Sequence, residues 1–112
     1  MGTFDKRTMI FNCNVLKWVD GDTVDLNVDM GFSIWSKQRI RLAGIDTPEK
    51  GEPNYLEATK KAFELAPIGV PAVLISNGKD LYGRYIGELK VNGVIVNDAL
   101  LESGLAKKYQ EK

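Results

Sequence analysis

Between residues 23 and 29 apolar and polar positions alternate without interruption. Val24, Leu26 and Val28 fall on one face and Thr23, Asp25, Asn27 and Asp29 on the other, the two-residue period of a strand with one side buried. Asp22 shares the parity of the apolar face, at the strand's very start. Residues 9–19 are apolar and β-branched apart from Asn12, Asn14 and Lys17, which predicts a first strand that Asp20-Gly21 turns into the second. Residues 31–36 then make a hairpin connection that offers Phe32 and Trp35 as exposed aromatics. Residues 37–45 give a third strand, with Ile40 and Leu42 on one face and Arg39, Arg41 and Ala43 on the other.

The period changes after a turn made by Asp46-Thr47-Pro48-Glu49 and a polar loop, Lys50-Gly51-Glu52-Pro53. Asn54 followed three residues later by Glu57 matches a capping box. A helix from there to about residue 66 would set Leu56, Thr59, Phe63 and Ala66 along one stripe before Pro67 stops it. Residues 70–76 predict a fourth strand, with Asn77-Gly78 as a turn, and residues 85–91 a fifth. Asn92-Gly93 is a hairpin signal that returns the chain through Val94, Ile95 and Val96. Asn97 then caps a short last helix that Gly104 terminates. No repeat, low-complexity tract or composition break divides residues 1–112, so one domain is expected. Three consecutive strands with short connections imply an antiparallel meander. Closing it with two more strands around the helix gives a mainly β, α+β domain of order β-β-β-α-β-β-α, a five-stranded barrel of the OB type.

Composition narrows the chemistry. At 112 residues, 44% apolar and 27% charged, the chain has the make-up of a globular protein with one modest core. No apolar run approaches the roughly 20 residues of a membrane-spanning helix, so no membrane association is expected. The first seven residues, Met1 to Arg7, hold no stretch apolar enough for a signal peptide. An intracellular, cytoplasmic site is therefore the expectation, with a processed secreted form left open. Cys13 is the single cysteine, which removes disulfides and thiolate clusters; it is expected to be a small apolar residue within a strand. Fifteen basic residues balance fifteen acidic ones, so any grip on a polyanion must be local. The absence of histidine excludes Ser-His and Cys-His pairs and imidazole ligands. Oxygen ligands to a hard cation remain open.

Asp22, Asp46 and Glu49 each have an ordinary explanation as turn or cap residues. Their arrangement argues for more. Asp22 opens the second strand facing inward and Asp46 closes the third, so in a meander the two ends can meet, and like charges brought together repel unless a cation joins them. Such a donor set suits Ca²⁺ or Mg²⁺, and carboxylates mixed with a carbonyl near Thr47 and waters suit the irregular shell of Ca²⁺ better. Arg41 and Arg84 could be a solvated strand residue and a turn residue resting on Tyr82. Flanking a cation, they would instead grip phosphate oxygens and stabilise a pentacovalent phosphorane.

In chain order, the motifs Asp20-Gly21-Asp22-Thr23-Val24, Arg41 to Glu49 (Arg-Leu-Ala-Gly-Ile-Asp-Thr-Pro-Glu), Tyr82-Gly83-Arg84 and Val96 to Ala106 (Val-Asn-Asp-Ala-Leu-Leu-Glu-Ser-Gly-Leu-Ala) resemble the staphylococcal nuclease (thermonuclease) family. The resemblance runs from Val19 to about Lys107. It implies a Ca²⁺-dependent phosphodiesterase, an endonuclease, on an OB barrel. Asp22 and Asp46 would ligate Ca²⁺ with the Thr47 carbonyl, and Glu49 would orient or deprotonate the attacking water. Arg41 and Arg84 would bind the scissile phosphate and stabilise its transition state. Tyr82 keeps the family's stacking ring, and Tyr109 falls near its second nucleotide-stacking tyrosines. The implied substrates are single- or double-stranded DNA, and RNA, cut to leave 3′-phosphate ends. No obligate protein partner is indicated, and a monomer is expected.

Departures from the family pattern bear on substrate preference. The connection between the second and third strands is longer here, the loop after Glu49 is shorter, and Leu81 stands where the family's best-known member has lysine. The family's long third helix is expected to be curtailed or missing. The competing expectation is a catalytically weak or inactive nucleic-acid-binding member, which would require loss of an acid or an arginine; all five positions are filled. A dehalogenase-like phosphatase reading of Asp20-Gly21-Asp22-Thr23-Val24 would need a parallel sheet and a helix after the motif, where the alternation gives a strand.

Overall fold

The alternation of residues 23–29 becomes the centre of a three-strand meander. The computed structural model describes residues 8–109; the start of the chain, on which the expectation about a leader rests, lies outside them. In chain order the elements are β1 (Met9–Asp20), β2 (Thr23–Asp29), β3 (Trp35–Leu42), β4 (Ile45–Asp46), α1 (Tyr55–Leu65), β5 (Pro71–Lys79), β6 (Tyr85–Val91), β7 (Val94–Ile95), α2 (Val96–Glu102) and β8 (Lys107–Lys108). β1 pairs antiparallel with β2 and with β5, β2 with β3, and β5 with β6. A short parallel pairing, Ile40↔Tyr85, Arg41↔Ile86 and Leu42↔Gly87, joins β3 to β6 and closes a five-stranded OB-type barrel. None of the helices among the described residues is long and apolar enough to cross a membrane.

β1 serves two neighbours because it bends. Its register against β2 shifts between Val15 and Lys17 and between Trp18 and Asp20, bulges that add local twist. The first half thereby pairs with β5 and the second half with β2. Inside the barrel, Val15, Val24, Leu26, Leu42, Leu89 and Leu100 are fully buried, and Cys13 lies among them as the sequence suggests. Burial pushes its thiol up to about 11, which keeps it neutral and unreactive at ordinary pH.

Several local expectations give way to tertiary packing. α1 keeps its predicted length but not its predicted face: Ala58 and Ala62 are buried, while Leu56 and Phe63 are exposed. Close approach to the barrel favours small residues, and Trp18 Nε1 seals the end of the helix by donating to the Ala66 carbonyl at 2.8 Å. Asn54 is left-handed at φ 69° and its side chain makes no cap, so the capping box does not form. Gly78 is within β5 rather than in a turn; the register against β6 shifts between Ser76 and Gly78, and the reversal comes later, at residues 80–84. β3 also begins earlier than expected, at Trp35, and stops at Leu42, with Ile45 resuming as β4.

Asn97 shows the largest difference. It does not cap α2, which starts at Val96, but is buried and turned into the barrel wall. Its Nδ2 donates to the carbonyls of Ala43 (2.9 Å) and Gly87 (3.2 Å), and its Oδ1 accepts from the Leu89 N–H at 3.2 Å. One amide thus satisfies backbone groups from β6 and from the end of β3. Asn97→Ala should lower stability by about 2–4 kcal/mol, because the stranded groups lose their partners without regaining water. Urea unfolding should show a lower midpoint at unchanged slope; a midpoint equal to wild type would mean those groups find other partners.

Candidate active site

Where β1 turns into β2, Asp20-Gly21-Asp22 lies against the segment that follows β3. Gly21 permits this contact: a Cβ there would sit 2.9 Å from Thr47 Oγ1 and 3.0 Å from its Cγ2. The close approach lets the Thr47 N–H donate to Asp22 Oδ2 at 3.0 Å, while the Thr23 hydroxyl donates to Asp22 Oδ1 at 3.1 Å. The backbone is stitched as well, Leu42 N–H donating to the Asp22 carbonyl at 2.8 Å.

Arg41 occupies the centre. Its Nη1 donates to the carbonyls of Leu42 and Ile45, both at 2.8 Å, which shapes the turn between β3 and β4. Its Nη2 lies 3.2 Å from Asp46 Oδ1 and 3.5 Å from Asp22 Oδ2. The outward parity of Arg41 suggests a solvated residue, yet the side chain is only 9% exposed, because the turn folds back over it. Burial alone would raise the Asp22 carboxyl. The hydrogen bond shared with Asp20, the Thr47 amide, the Arg41 charge and the Thr23 hydroxyl outweigh it and hold Asp22 below the usual carboxylate range. Asp20 moves the other way, up to about 6, first through burial and then through the hydrogen bond and charge of Asp22.

Arg84 comes from the 80–84 turn. Asp80 organises it: Oδ1 accepts the N–H groups of Tyr82 (2.8 Å) and Arg84 (2.9 Å), and Oδ2 accepts Arg84 Nε at 2.6 Å. The guanidinium also lies over the Tyr82 ring, 5.2 Å from its centroid. On the far loop, the Glu49 N–H donates to the Glu52 carboxylate at 2.6 Å, leaving the Glu49 side chain exposed.

Six of the eight residues singled out in the sequence line one cleft of about 520 Å³: Asp22, Arg41, Asp46, Thr47, Glu49 and Arg84. Tyr82 and Tyr109 do not line it. Tyr109 is drawn elsewhere by β8, which pairs with β4 through Ile45↔Lys108 and Asp46↔Lys107. Its ring covers the Arg41 guanidinium at 5.4 Å, and its N–H donates to the Gly44 carbonyl at 3.0 Å. Sequence reasoning passed over Asp20, which also lines the cleft, and Asp80, the partner of Arg84. The spacing Asp-Gly-Asp was the available signal for the first; nothing local marked the second.

The donor set fits a hard cation with an incomplete protein shell. Asp22, Asp46 and the Thr47 backbone offer only oxygens, and the two carboxylates share a single guanidinium, which leaves excess negative charge in a half-closed cleft. The Thr47 hydroxyl is buried there without a hydrogen-bond partner among the described residues. Among the same residues no three acidic groups form a ready-made metal cage, so waters would have to supply much of the coordination.

Barrel and cleft together define an OB-type β-barrel protein with acids and arginines gathered on one flank. Residues 39–112 match the family model described as staphylococcal nuclease homologue, and the chain belongs to that family. It is 38% identical over 73 residues to the staphylococcal-like nuclease CAN1 of Arabidopsis thaliana, covering 65% of this chain and 22% of that protein. It is 29% identical to the endonuclease YncB of Bacillus subtilis (strain 168), covering 88% of this chain and 48% of the relative. Against the thermonuclease of Staphylococcus hyicus it is 29% identical, with 88% and 64% covered. The chain thus spans less than two thirds of the length of each of these relatives.

Arg41→Ala should destabilise the protein by about 3–5 kcal/mol in the absence of divalent cations, since it leaves a buried carboxylate without its counter-charge. Chemical denaturation in chelator measures this, and a loss below about 1 kcal/mol would show that Asp22 is solvated when Arg41 is gone.

Proposed function

We propose that the chain is a Ca²⁺-dependent endonuclease that hydrolyses DNA, and RNA as a further substrate, by water attack on the phosphodiester to leave 3′-phosphate ends. The observation that carries this reading is the convergence of Asp22, Arg41, Asp46, Thr47, Glu49 and Arg84 on one cleft from three separate stretches of chain. The names of the relatives, nucleases and a thermonuclease, support it. Asp22, Asp46 and the Thr47 carbonyl would hold the cation, which when bound supplies Lewis-acid stabilisation of charge on the phosphate.

The remaining work belongs to the protein's own side chains. Glu49, exposed on a loop whose backbone is tied to Glu52, orients the attacking water and accepts its proton. Arg84 is already oriented by Asp80 through Nε, which leaves its terminal nitrogens for phosphate oxygens as negative charge grows in the transition state. Arg41 spends Nη1 on two carbonyls, so it meets the phosphate as a fixed positive wall more than as a mobile clamp. Tyr82, whose ring lies beneath the Arg84 guanidinium, would stack on a nucleoside adjoining the cut.

Cleavage of single-stranded DNA should require Ca²⁺ and disappear in chelator; equal cleavage in both, or none in either, contradicts the proposal. Glu49→Gln should reduce kcat by about 10²–10⁴ while nucleotide binding stays near wild type, as expected for a group that acts on the water in the transition state. Arg84→Ala should reduce kcat by a similar factor of about 10²–10³, and an unchanged kcat would remove it from the mechanism.

A further inference from the structure

The β2–β3 ribbon runs away from the cleft and ends in an uncovered apolar tip. Phe32 is 98% exposed, and Met30, Ile34 and Trp35 are about half exposed. The tip is held firmly. Gly31 N–H donates to Asp29 Oδ1 at 2.8 Å, and Met30 N–H and Ile34 N–H bond across the turn to Ile34 and Gly31 carbonyls. Phe32 and Ser33 both take left-handed conformations, φ 55° and 63°, which non-glycine residues adopt at a cost. Strain is being spent to hold a phenyl ring out in water.

The same face of β3 connects this tip to the cleft. With two-residue periodicity, Trp35, Lys37, Arg39 and Arg41 share one side of the strand, their side chains about 7 Å apart. Arg41 borders the cleft. Arg39 is committed to Asp25 through a bidentate pair at 2.8 and 3.2 Å, whereas Lys37 is exposed and makes no ion pair among the described residues. Across the ribbon, Asp25 and Asp29 stand opposite Arg39 and Trp35; Asp25 is neutralised by its pair with Arg39, and Asp29 accepts the Gly31 N–H. From Arg41 to Trp35 is about 20 Å of strand.

We infer that the outer face of β3 is an accessory track for single-stranded nucleic acid, with Lys37 meeting a phosphate and Trp35 and Phe32 stacking bases about four nucleotides from the cleft. The inference rests on the nuclease reading for its substrate but concerns different residues. A neutral chain gains little affinity from its overall charge, so local stacking and one or two phosphate contacts would decide how tightly a long strand is held.

The test compares an oligothymidylate of about twelve nucleotides with a dinucleotide substrate, in wild type, Trp35→Ala, Phe32→Ala and Lys37→Glu. Expected is a lower KM for the longer strand in wild type, and an approximately tenfold loss of that length advantage in Trp35→Ala or Phe32→Ala. A length advantage unchanged in all three variants overturns the track. Tryptophan emission gives a readout independent of cleavage, because Trp18 is buried and Trp35 half-exposed. The long oligonucleotide should quench wild type but not Trp35→Ala, even in a preparation that cleaves nothing and so refutes the nuclease reading. No quenching in wild type, or an emission shift with phosphatidylcholine vesicles in place of quenching by the oligonucleotide, overturns the proposal and in the second case assigns the tip to a lipid surface.

Discussion

One guanidinium sets the geometry on which the cleft depends. Arg41 ties the carbonyls of Leu42 and Ile45, which bends the chain out of the barrel wall, and the same group faces Asp22 and Asp46. Without the turn, Asp46 would continue along the strand direction and Thr47 could not reach Asp22. The cost is a charge taken out of water, offset only because every acceptor around it is prealigned. Tyr109 closes the remaining side with its ring, so residues near the end of the described chain secure the one near its middle.

The rest of the barrel serves this arrangement. Bulges in β1 allow one strand to bind two neighbours, and the tight Asp20-Gly21 turn brings Asp22 beside Thr47. Asn97 holds the end of β3 to β6 where hydrogen-bonding groups would otherwise be stranded. The loop with Glu49 and the turn with Arg84 lie outside this frame, each held by its own backbone hydrogen bonds and one carboxylate, Glu52 and Asp80. Asp80 holds its charge because the amides of Arg84 and Tyr82 and the Arg84 guanidinium outweigh the burial that would raise it.

Much of this was legible along the chain, for identifiable reasons. Strict alternation in residues 23–29 and the Asn92-Gly93 hairpin depend on local sterics; β2 and β6 appear with their expected bounds, and only the return strand is cut short, because Val96 opens α2. The Asp-Gly-Asp and Arg-to-Glu motifs carried the cleft because their residues are held by short turns. What escaped was decided at a distance. The buried side of α1 is set by how closely the helix nears the barrel, which favours Ala58 and Ala62 over the larger Leu56 and Phe63. Asn97 has the composition of a cap and the surroundings of a core residue, a difference made by the β6 backbone and the Ala43 carbonyl. Tyr109 could be placed only once β8 was known to pair with β4.

The parallel pairing of β3 with β6 also fixes when the cleft is complete. Leu42 meets Gly87, a contact between residues far apart in sequence whose closure entropy must be overcome before it brings any gain. Arg84 is carried to the cleft by that pairing, and β8 comes later still in the chain. During synthesis, therefore, the growing polypeptide has the acids long before it has the second arginine or the strand that braces the first. Until β6 and β8 are in place, the acids stand at a cleft that lacks both Arg84 and the ring that covers Arg41.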